Sequence, residues 1–329
     1  MATPALLVLL LGACRVEFGP PTSRADSTTH EVWVYSSMYQ EVLDAMAPDL
    51  AAALPDVRVQ FFQAGSEKVS QRWEAEHAAG GSRACVLATS DPAWYEDLAG
   101  RGLLRTHVPG RALDLPRAWA HPTHAAFRVS LMVLAGVGDA PARFEDLRDP
   151  RWAGRFSSPD PLASGTMFTA LAALDAALGA DWTAAARANG WVAAGGNAAV
   201  VARMQSGENP VGIVLLENLL AQEGYAAQRP GLARPVLSAG AIPVPGYAAI
   251  PTDCPNPAAA ERVMDWFFSP TAATHLRAGR MHGPFAESPL PDGAPPPDAL
   301  PWMELPADFA ARTATRAPEL RARWSGRGG

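Results

Sequence analysis

The chain has 329 residues, of which 48% are hydrophobic and 18% are charged, and its formal net charge is −6. Lys68 is its one lysine, so nearly all of the basic residues are arginines. A mildly acidic chain without a basic stripe excludes nucleic acid as an expected partner. The length exceeds the roughly 250–300 residues at which a single hydrophobic core stops growing, and we therefore expect two lobes.

The N-terminal segment carries an apolar run, Ala5–Leu11, that is shorter than the roughly 20 residues needed to span a bilayer but is typical of a secretory signal. The LLGAC sequence that ends this segment resembles a bacterial lipobox, although Met1–Pro4 carries no Lys or Arg. The resemblance implies a signal peptide at 1–13, lipidation of Cys14, a tether at 14–29, and a location in the periplasm or cell envelope. The alternative is a buried N-terminal strand.

Strands alternate with helices from His30 onward, as judged from apolar periodicity and turn residues. The predicted elements are a strand at His30–Ser36, a helix at Gln40–Leu54, a strand at Val57–Phe62, a helix after Gly65, a strand at Cys85–Thr89 and a helix through Leu98. This alternation predicts a parallel sheet with right-handed crossovers.

Small polar residues follow each of these three strands. The residues are Ser36 and Ser37, Gly65 and Ser66, and Thr89, Ser90 and Asp91. In open α/β sheets, ligands bind outside the carboxyl ends of the strands, next to helix N-termini. Each loop taken alone is explained equally well by helix capping, and only their convergence favours a binding site.

A second α/β unit follows. Its predicted elements are a strand at Arg128–Ala135, a short helix at Phe144–Trp152, a helix and strand within Trp182–Val192, a turn that carries Asn197 into the next helix, and a strand at Pro210–Leu216 that places Glu217 at its end. The Pro-marked segment Ala241–Pro251 is expected to cross back to the first lobe, and helices follow it. We therefore assign 30–127 plus 241–329 to lobe 1, and 128–240 to lobe 2.

The segment around Ser164, Gly165 and Thr166 has the pattern of an anion-binding helix start. Ser164 is a good N-cap, Gly165 allows close approach to the backbone, and Thr166 adds a hydroxyl donor. The unpaired N–H groups and the dipole of a first helical turn favour negative charge. Ordinary capping of a surface helix is the alternative.

The cysteines and histidines give weaker signals. Cys85 and Cys254 are compatible with a disulfide in an oxidising compartment, but their wide separation in sequence says nothing of geometry, and we favour unpaired thiols. His121 and His124 are the nearest approach to a metal pair; because Pro122 would break a helix aligning them, we interpret them as solvated loop histidines and expect no metal ligands. Since the chain also lacks the usual nucleophile, zinc-protease, P-loop and dinucleotide-binding motifs, we expect neither an enzyme nor a bound cofactor.

Several motifs together resemble the solute-binding proteins of ABC importers, in the ferric-ion, phosphonate and sugar-phosphate branch. They are VYSS, QAGSEKV at 63–69, TSDPAWYEDL at 89–98, FEDLRDPRWAGRF at 144–156, SPDPLASGT at 158–166, GGNAAV at 195–200 and PVGIVLLENLL at 210–220. The resemblance runs from about Val32 to Thr274. It implies a type II periplasmic binding protein, with two α/β lobes, each a mostly parallel sheet flanked by helices, joined by crossing strands and closing over a ligand.

The family divides by ligand. Ferric-binding members hold the ion with oxygen ligands that include two adjacent tyrosines in the second lobe, whereas Tyr225 is the one tyrosine between Arg128 and Ser238. Hydroxyl and glycine loops instead favour an oxyanion, and Asp91 and Glu217 favour one with a cationic or hydroxylated tail. We therefore expect an organophosphonate or organophosphate, including amine-bearing ones, delivered to separate permease and ATPase subunits by a monomer. A ferric-ion importer component and a ligand-sensing partner of a membrane receptor remain alternatives.

Overall fold

The computed structural model describes residues 29–326. The expected signal peptide, the lipidation site Cys14 and all but the last residue of the expected tether lie outside the described residues. Within residues 29–326, no helix is long and apolar enough to cross a membrane.

The first lobe is built on three parallel strands, as the alternation of elements predicts. They are β1 (His30–Ser36), β2 (Val57–Gln63) and β3 (Ala84–Thr89), with β1 between the other two. Each strand is followed by a helix: α1 (Gln40–Ala53), α2 (Ser66–Ala78) and α3 (Pro92–Gly100). One apolar cluster packs α1 against one face of these strands, and a second packs α2 and α3 against the other.

Two long antiparallel strands connect the lobes. They are β4 (His124–Gly136) and β9 (Ala241–Ala249). The C-terminal end of β9 pairs with β3 in the first lobe, while its N-terminal end pairs with the part of β4 that reaches into the second. Pro243 and Pro245 lack the N–H groups that would let β3 continue along the same side of β9. The lobes are therefore joined through a shared pair of strands, and the crossing predicted for Ala241–Pro251 is confirmed.

The second lobe continues the same sheet. Its strands are β5 (Phe156–Pro159), β6 (Val192–Ala194), β7 (Val211–Leu215) and the short β8 (Arg234–Pro235). Its helices are α4 (Gly165–Leu178), α5 (Ala180–Ala188), α6 (Asn197–Ser206) and α7 (Leu216–Leu220). The described sheet has the order β2-β1-β3-β9-β4-β7-β5-β6, with β8 beside β4. The expectation of a two-lobed α/β fold is confirmed.

Three C-terminal helices complete the fold: α8 (Pro257–Phe267), α9 (Pro270–Ala278) and α10 (Phe309–Ser325). The first two pack on the core of the first lobe. By contrast, Leu320 and Trp324 of α10 belong to the apolar cluster of the second lobe, and Asp175 of α4 accepts hydrogen bonds from Arg316 and Arg323 of α10 at 2.7 and 2.9 Å. Arg321 also pairs with Glu67 of the first lobe at 3.2 Å. The lobe boundaries drawn from the sequence stay a prediction, with α10 in contact with both lobes.

Some local expectations differ from the structure. Cys85 and Cys254 form a disulfide with Cα atoms 4.6 Å apart, so the preference for unpaired thiols is wrong. The β9–β3 pairing explains this: it brings the turn after β9 beside β3, a relationship that sequence separation does not reveal. The predicted short helix at Phe144–Trp152 consists of two 3₁₀ turns, Phe144–Arg148 and Pro150–Trp152, because Pro150 cannot continue a helix begun before it.

Candidate functional site

A cavity of about 250 Å³ lies between the lobes, at the ends of the strands. Residues from both lobes line it. Nine of the twelve residues singled out in the sequence are among them: Ser37, Gly65, Ser66, Ser90, Ser164, Gly165, Thr166, Asn197 and Glu217. The convergence expected from the strand-end argument is therefore present in the fold, while the role of these residues in binding stays a prediction.

The first-lobe wall is a set of serine hydroxyls held by backbone groups. The N–H of Ser90 points to the hydroxyls of both Ser37 and Ser66, at 3.3 and 3.4 Å. The hydroxyl of Ser90 is buried and has no hydrogen-bond partner among residues 29–326. A buried polar group costs free energy when it is unpaired, so this hydroxyl has spare capacity for a ligand.

Arg128 is a charged residue of the cavity lining that the sequence did not predict. It lies within β4, is 3% exposed, and donates hydrogen bonds to Ser130 at 2.9 Å and Ser37 at 3.2 Å. Its Nε is buried without a partner in the described part of the chain. Burial lowers the pKa of Arg128 and the nearby Glu217 raises it again, but a guanidinium keeps its charge in proteins. The signal available in the sequence was an arginine at the start of the largely apolar run Arg128–Ala135.

The second-lobe wall begins with the first turn of α4. Ser164 is the N-cap of this helix, since its hydroxyl accepts from the N–H of Met167 at 3.3 Å. Thr166 shares a hydrogen bond of 3.0 Å with Ser164. The capping role therefore falls to Ser164, while Thr166 lines the cavity and its hydroxyl contacts the capping hydroxyl.

Gly165 lies close to the first lobe. A Cβ atom at this position would lie 3.0 Å from the Cβ of Asp91, the Cβ of Ser66 and the carbonyl oxygen of Ser90. All three neighbours belong to the first lobe: Ser66 begins α2, and Ser90 and Asp91 lie in the loop before α3. One of the contacting atoms is backbone. The absence of a side chain at Gly165 thus permits this close approach beside the cavity.

Glu217 and Tyr39 contribute the cavity's carboxyl and phenol groups. Burial raises the pKa of Glu217 to about 7, with partial compensation from Ser130 and Arg128, and its Oε2 is unpartnered within the described residues. Tyr39 donates a 3.0 Å hydrogen bond to Asn218 of the opposite lobe. Burial, and then the charge of Glu217, raise the pKa of Tyr39, so the phenol stays protonated.

Helix N-termini surround these groups. The N-cap residues of four helices line the cavity: Tyr39 of α1, Gly65 of α2, Ser164 of α4 and Gly196 of α6. Each first turn carries unsatisfied N–H groups and partial positive charge. Together with Arg128, they make the cavity favourable for negative charge. The amide oxygen of Asn197 accepts from the N–H of Leu215 at 3.0 Å and fixes α6 against β7.

Three of the singled-out residues do not line the cavity. The hydroxyl of Ser36 donates to the carbonyl oxygen of Ala88 at 3.2 Å and accepts from the N–H of Met38. Thr89 is fully buried and contacts the hydroxyl of Tyr95. Asp91 caps α3 by accepting from the N–H of Trp94 at 3.4 Å. Burial, followed by the charge of Glu67, raises the pKa of Asp91 to about 6. Their observed contacts position the loops that carry the cavity residues.

The two loop histidines differ from expectation. Pro122 and Thr123 form a tight turn, in keeping with the predicted loop, but the rings of His121 and His124 stack 4.3 Å apart. His124 is 1% exposed, so its interpretation as a solvated residue is wrong. Burial lowers the pKa of His124, which favours a neutral ring. These residues lie outside the cavity lining.

Comparisons with known proteins agree with this geometry. The model of one family, described as bacterial extracellular solute-binding protein, matches residues 31–279. No match was found among curated protein sequences.

Among solved structures, iron-bound HitA from Pseudomonas aeruginosa is similar, with a TM-score of 0.76, 19% identity, and coverage of 90% of this chain and 99% of that one. AfuA from Actinobacillus pleuropneumoniae, with fructose-6-phosphate bound, has a TM-score of 0.75 and 17% identity, covering 91% and 98%. FutA from Trichodesmium, in complex with iron and citrate, has a TM-score of 0.69 and 16% identity, covering 89% and 99%. At these identities the similarity establishes the fold.

Proposed function

The chain belongs to the family of bacterial extracellular solute-binding proteins, and from that premise we propose that its inter-lobe cavity captures a small oxyanion for delivery to an ABC permease. Members of this family are carriers and not enzymes. The observation that carries the proposal is Arg128, a buried guanidinium in the cavity with an unpartnered Nε among the described residues.

An oxyanion would accept hydrogen bonds from the cavity donors that lack a partner among the described residues. Arg128 is surrounded by hydroxyl donors and by the N-termini of four helices, and its side-chain hydrogen bonds go to serines rather than to a carboxylate. Hydrogen bonds between a charged group and its partner contribute about 1.5–3 kcal/mol each. Four such bonds, less the cost of closing the lobes, suit an affinity near micromolar, about −8 kcal/mol.

The size of the cavity supports a compact ligand. Its volume of about 250 Å³ is smaller than the pockets of roughly 300–1,000 Å³ that enclose drug-sized molecules. A short organophosphonate or organophosphate fits this description better than a large sugar phosphate. The fructose-6-phosphate bound to AfuA provides a precedent for a phosphate ester in this fold.

Glu217 favours a ligand that also carries a cationic or hydroxylated tail. Its Oε2 is buried and unpartnered in the described chain, and its raised pKa shows how unfavourable an isolated carboxylate is there. An ammonium group beside Glu217 would stabilise the charged form, as a salt bridge in a dry site does when its hydrogen bonds are complete. We therefore favour an amine-bearing phosphonate or phosphate.

A ferric-ion carrier is the second candidate, because HitA and FutA are named as iron-bound. The cavity favours it less. Tyr39 is the one tyrosine in its lining, its pKa is raised, and it donates its proton to Asn218. A hard trivalent cation needs several anionic oxygens, whereas this lining contributes Glu217 as its carboxylate and Arg128 as an opposing positive charge.

The wider assignment follows the same reasoning. We propose a monomer in the periplasm, anchored to a membrane by lipidation of Cys14, that docks on permease and ATPase subunits of an importer. A ligand-sensing role beside a membrane receptor would use the same cavity. Detection of a permease and an ATPase in a complex with the protein would distinguish the importer component from the sensor.

Titration calorimetry tests the ligand class. The probes are aminoethylphosphonate, ethylphosphonate and butanol, a neutral alcohol. Each is added to protein dialysed free of small molecules. We expect binding of both phosphonates, tighter for the amine-bearing one, and none for the alcohol. Binding of ferric ion with a visible phenolate absorption band, and of neither phosphonate, would overturn it.

A further inference from the structure

We propose that Glu96, His121 and His124 form a binding site for a divalent transition-metal cation of the zinc type, separate from the ligand cavity. Each of the three residues offers one ligand atom, and these atoms lie within 4.8 Å of one another. None of the three lines the cavity between the lobes. The cluster lies in the first lobe, where α3 meets the turn that leads into β4.

The backbone places both imidazoles on one side of a tight turn. The N–H of His121 donates to the carbonyl oxygen of His124 at 2.9 Å, and the flanking Ala120 and Ala125 form an antiparallel bridge. Residues directly opposite one another across a hairpin project to the same face. Pro122, which makes a helical pair of ligands impossible, here occupies the turn that produces the pair.

The distances suit a small tetrahedral ion. Oε1 of Glu96 lies 3.4 Å from Nδ1 of His121 and 3.6 Å from Nε2 of His124. Two ligands that bind zinc at about 2.0–2.1 Å are roughly 3.3 Å apart in a tetrahedral site. The rings of His121 and His124 stack with 14° between their planes, so the two imidazoles point at one ion only if a ring turns out of the stack. The side chain of His121 is 22% exposed and has room for that turn. Two histidines and one glutamate form a known zinc ligand set, with the fourth position left for water.

Each imidazole is already oriented by its other nitrogen. Nε2 of His121 lies 3.4 Å from the carbonyl oxygen of Ala118, and Nδ1 of His124 lies 3.1 Å from the hydroxyl of Thr123. Such contacts orient metal-binding histidines and set their tautomer.

The unpartnered Nε2 of His124 is independent evidence that a cation binds here. This nitrogen is buried, in a side chain that is 1% exposed, and it has no hydrogen-bond partner among residues 29–326. The 3.6 Å separation from Glu96 is longer than a hydrogen bond. The rings of Tyr95 and Tyr247 pack against the ring of His124, with centroids 5.7 and 4.8 Å away. A cation would pair the nitrogen and the carboxylate together.

Metal titration of the tag-free, oxidised full chain tests the proposal. After treatment with a chelator, we expect one Zn²⁺ per chain, with a dissociation constant in the micromolar range or below, and a raised melting temperature. Co²⁺ in the same site should give the visible absorption bands of four-coordinate cobalt.

Two variants separate the site from surface binding. Glu96→Gln keeps the shape of the side chain, and His121→Ala changes a partly exposed one, so both are expected to fold; each should weaken Zn²⁺ binding at least tenfold. His275→Ala is the matched control, because His275 pairs with the single carboxylate of Asp49 at 2.8 Å, and it should bind as the wild type does. The proposal would be overturned if the wild type bound no Zn²⁺ at 100-fold excess, or if Glu96→Gln and His121→Ala bound Zn²⁺ as tightly as the wild type does.

Discussion

Arg128 donates a hydrogen bond from Nη2 to the hydroxyl of Ser37 at 3.2 Å, and so connects a strand shared by both lobes with the loop that follows β1. The same guanidinium donates to Ser130, two residues along β4. The charge is therefore held in place before a ligand arrives, and little reorganisation is needed when one binds.

Arg128→Gln should weaken binding of ethylphosphonate by roughly ten- to hundredfold, because one charge-assisted contact contributes about 1.5–3 kcal/mol. The melting temperature without ligand should change little, since the variant also removes a buried charge. Arg111→Gln is the control, because Arg111 pairs with Glu287 on the surface of the protein. Calorimetry of the three proteins is the measurement, and equal affinities would remove Arg128 from the site.

Thr166→Val should affect ligand affinity, whereas Ser164→Ala should affect stability. The N-cap hydrogen bond belongs to Ser164, so Ser164→Ala should lower the free energy of unfolding by about 1 kcal/mol. Thr166→Val removes a cavity hydroxyl and should weaken ligand binding by on the order of tenfold, with little change in stability. Thermal melting and calorimetry of both variants check this. A lowered melting temperature with unchanged affinity for Thr166→Val would return this residue to ordinary helix capping.

Gly165→Ala should hinder closure of the lobes. The new methyl group would meet Asp91, Ser66 and the backbone of Ser90 at 3.0 Å. We expect weaker binding and a larger radius of gyration by small-angle X-ray scattering in the presence of ligand. Gly100→Ala, where a Cβ meets nothing within 4 Å, is the control. A compact, tightly binding Gly165→Ala variant would contradict this view of closure.

The stability of the protein without ligand should depend on the protonation of Glu217. Its pKa is raised from 4.5 to about 7 on folding, so the folded state binds a proton between these values that the unfolded state has lost. The free energy of unfolding should therefore fall as pH rises from about 4.5 to about 7, by roughly 3 kcal/mol from this group. Asp91, raised to about 6, adds a fall of the same sign at lower pH.

Denaturant unfolding of wild type and Glu217→Gln at about pH 5 and about pH 8 isolates the contribution of Glu217. The variant should lose less stability across this range, and it should bind aminoethylphosphonate less tightly while keeping its affinity for ethylphosphonate. Parallel pH profiles for the two proteins would show that Glu217 does not titrate as described.

The alternating strands and helices could be predicted from the sequence because local patterns encode them. The strand at His30–Ser36 and the helix that begins at Gln40 follow from apolar periodicity and turn residues, and the structure places both there. Convergence of the serine loops followed from a general property of parallel sheets, namely that their carboxyl ends share one edge.

Features that depend on distant pairing were missed. Arg128 was assigned to a strand from its neighbours, and its position in the cavity depends on the crossing of β4 between lobes. The disulfide depends on the pairing of β9 with β3, and the stacked histidines depend on a hairpin turn rather than a helix. Local sequence contains neither the partner strand nor the turn geometry that creates these contacts.

Mass spectrometry of the protein purified under native conditions tests the central claim most directly. We expect the wild type to carry a mass excess of one small phosphorus-containing anion per chain, which is lost on denaturation. This excess should be strongly reduced in Arg128→Gln. A wild-type protein that carries iron, or a neutral solute retained equally by Arg128→Gln, would contradict it.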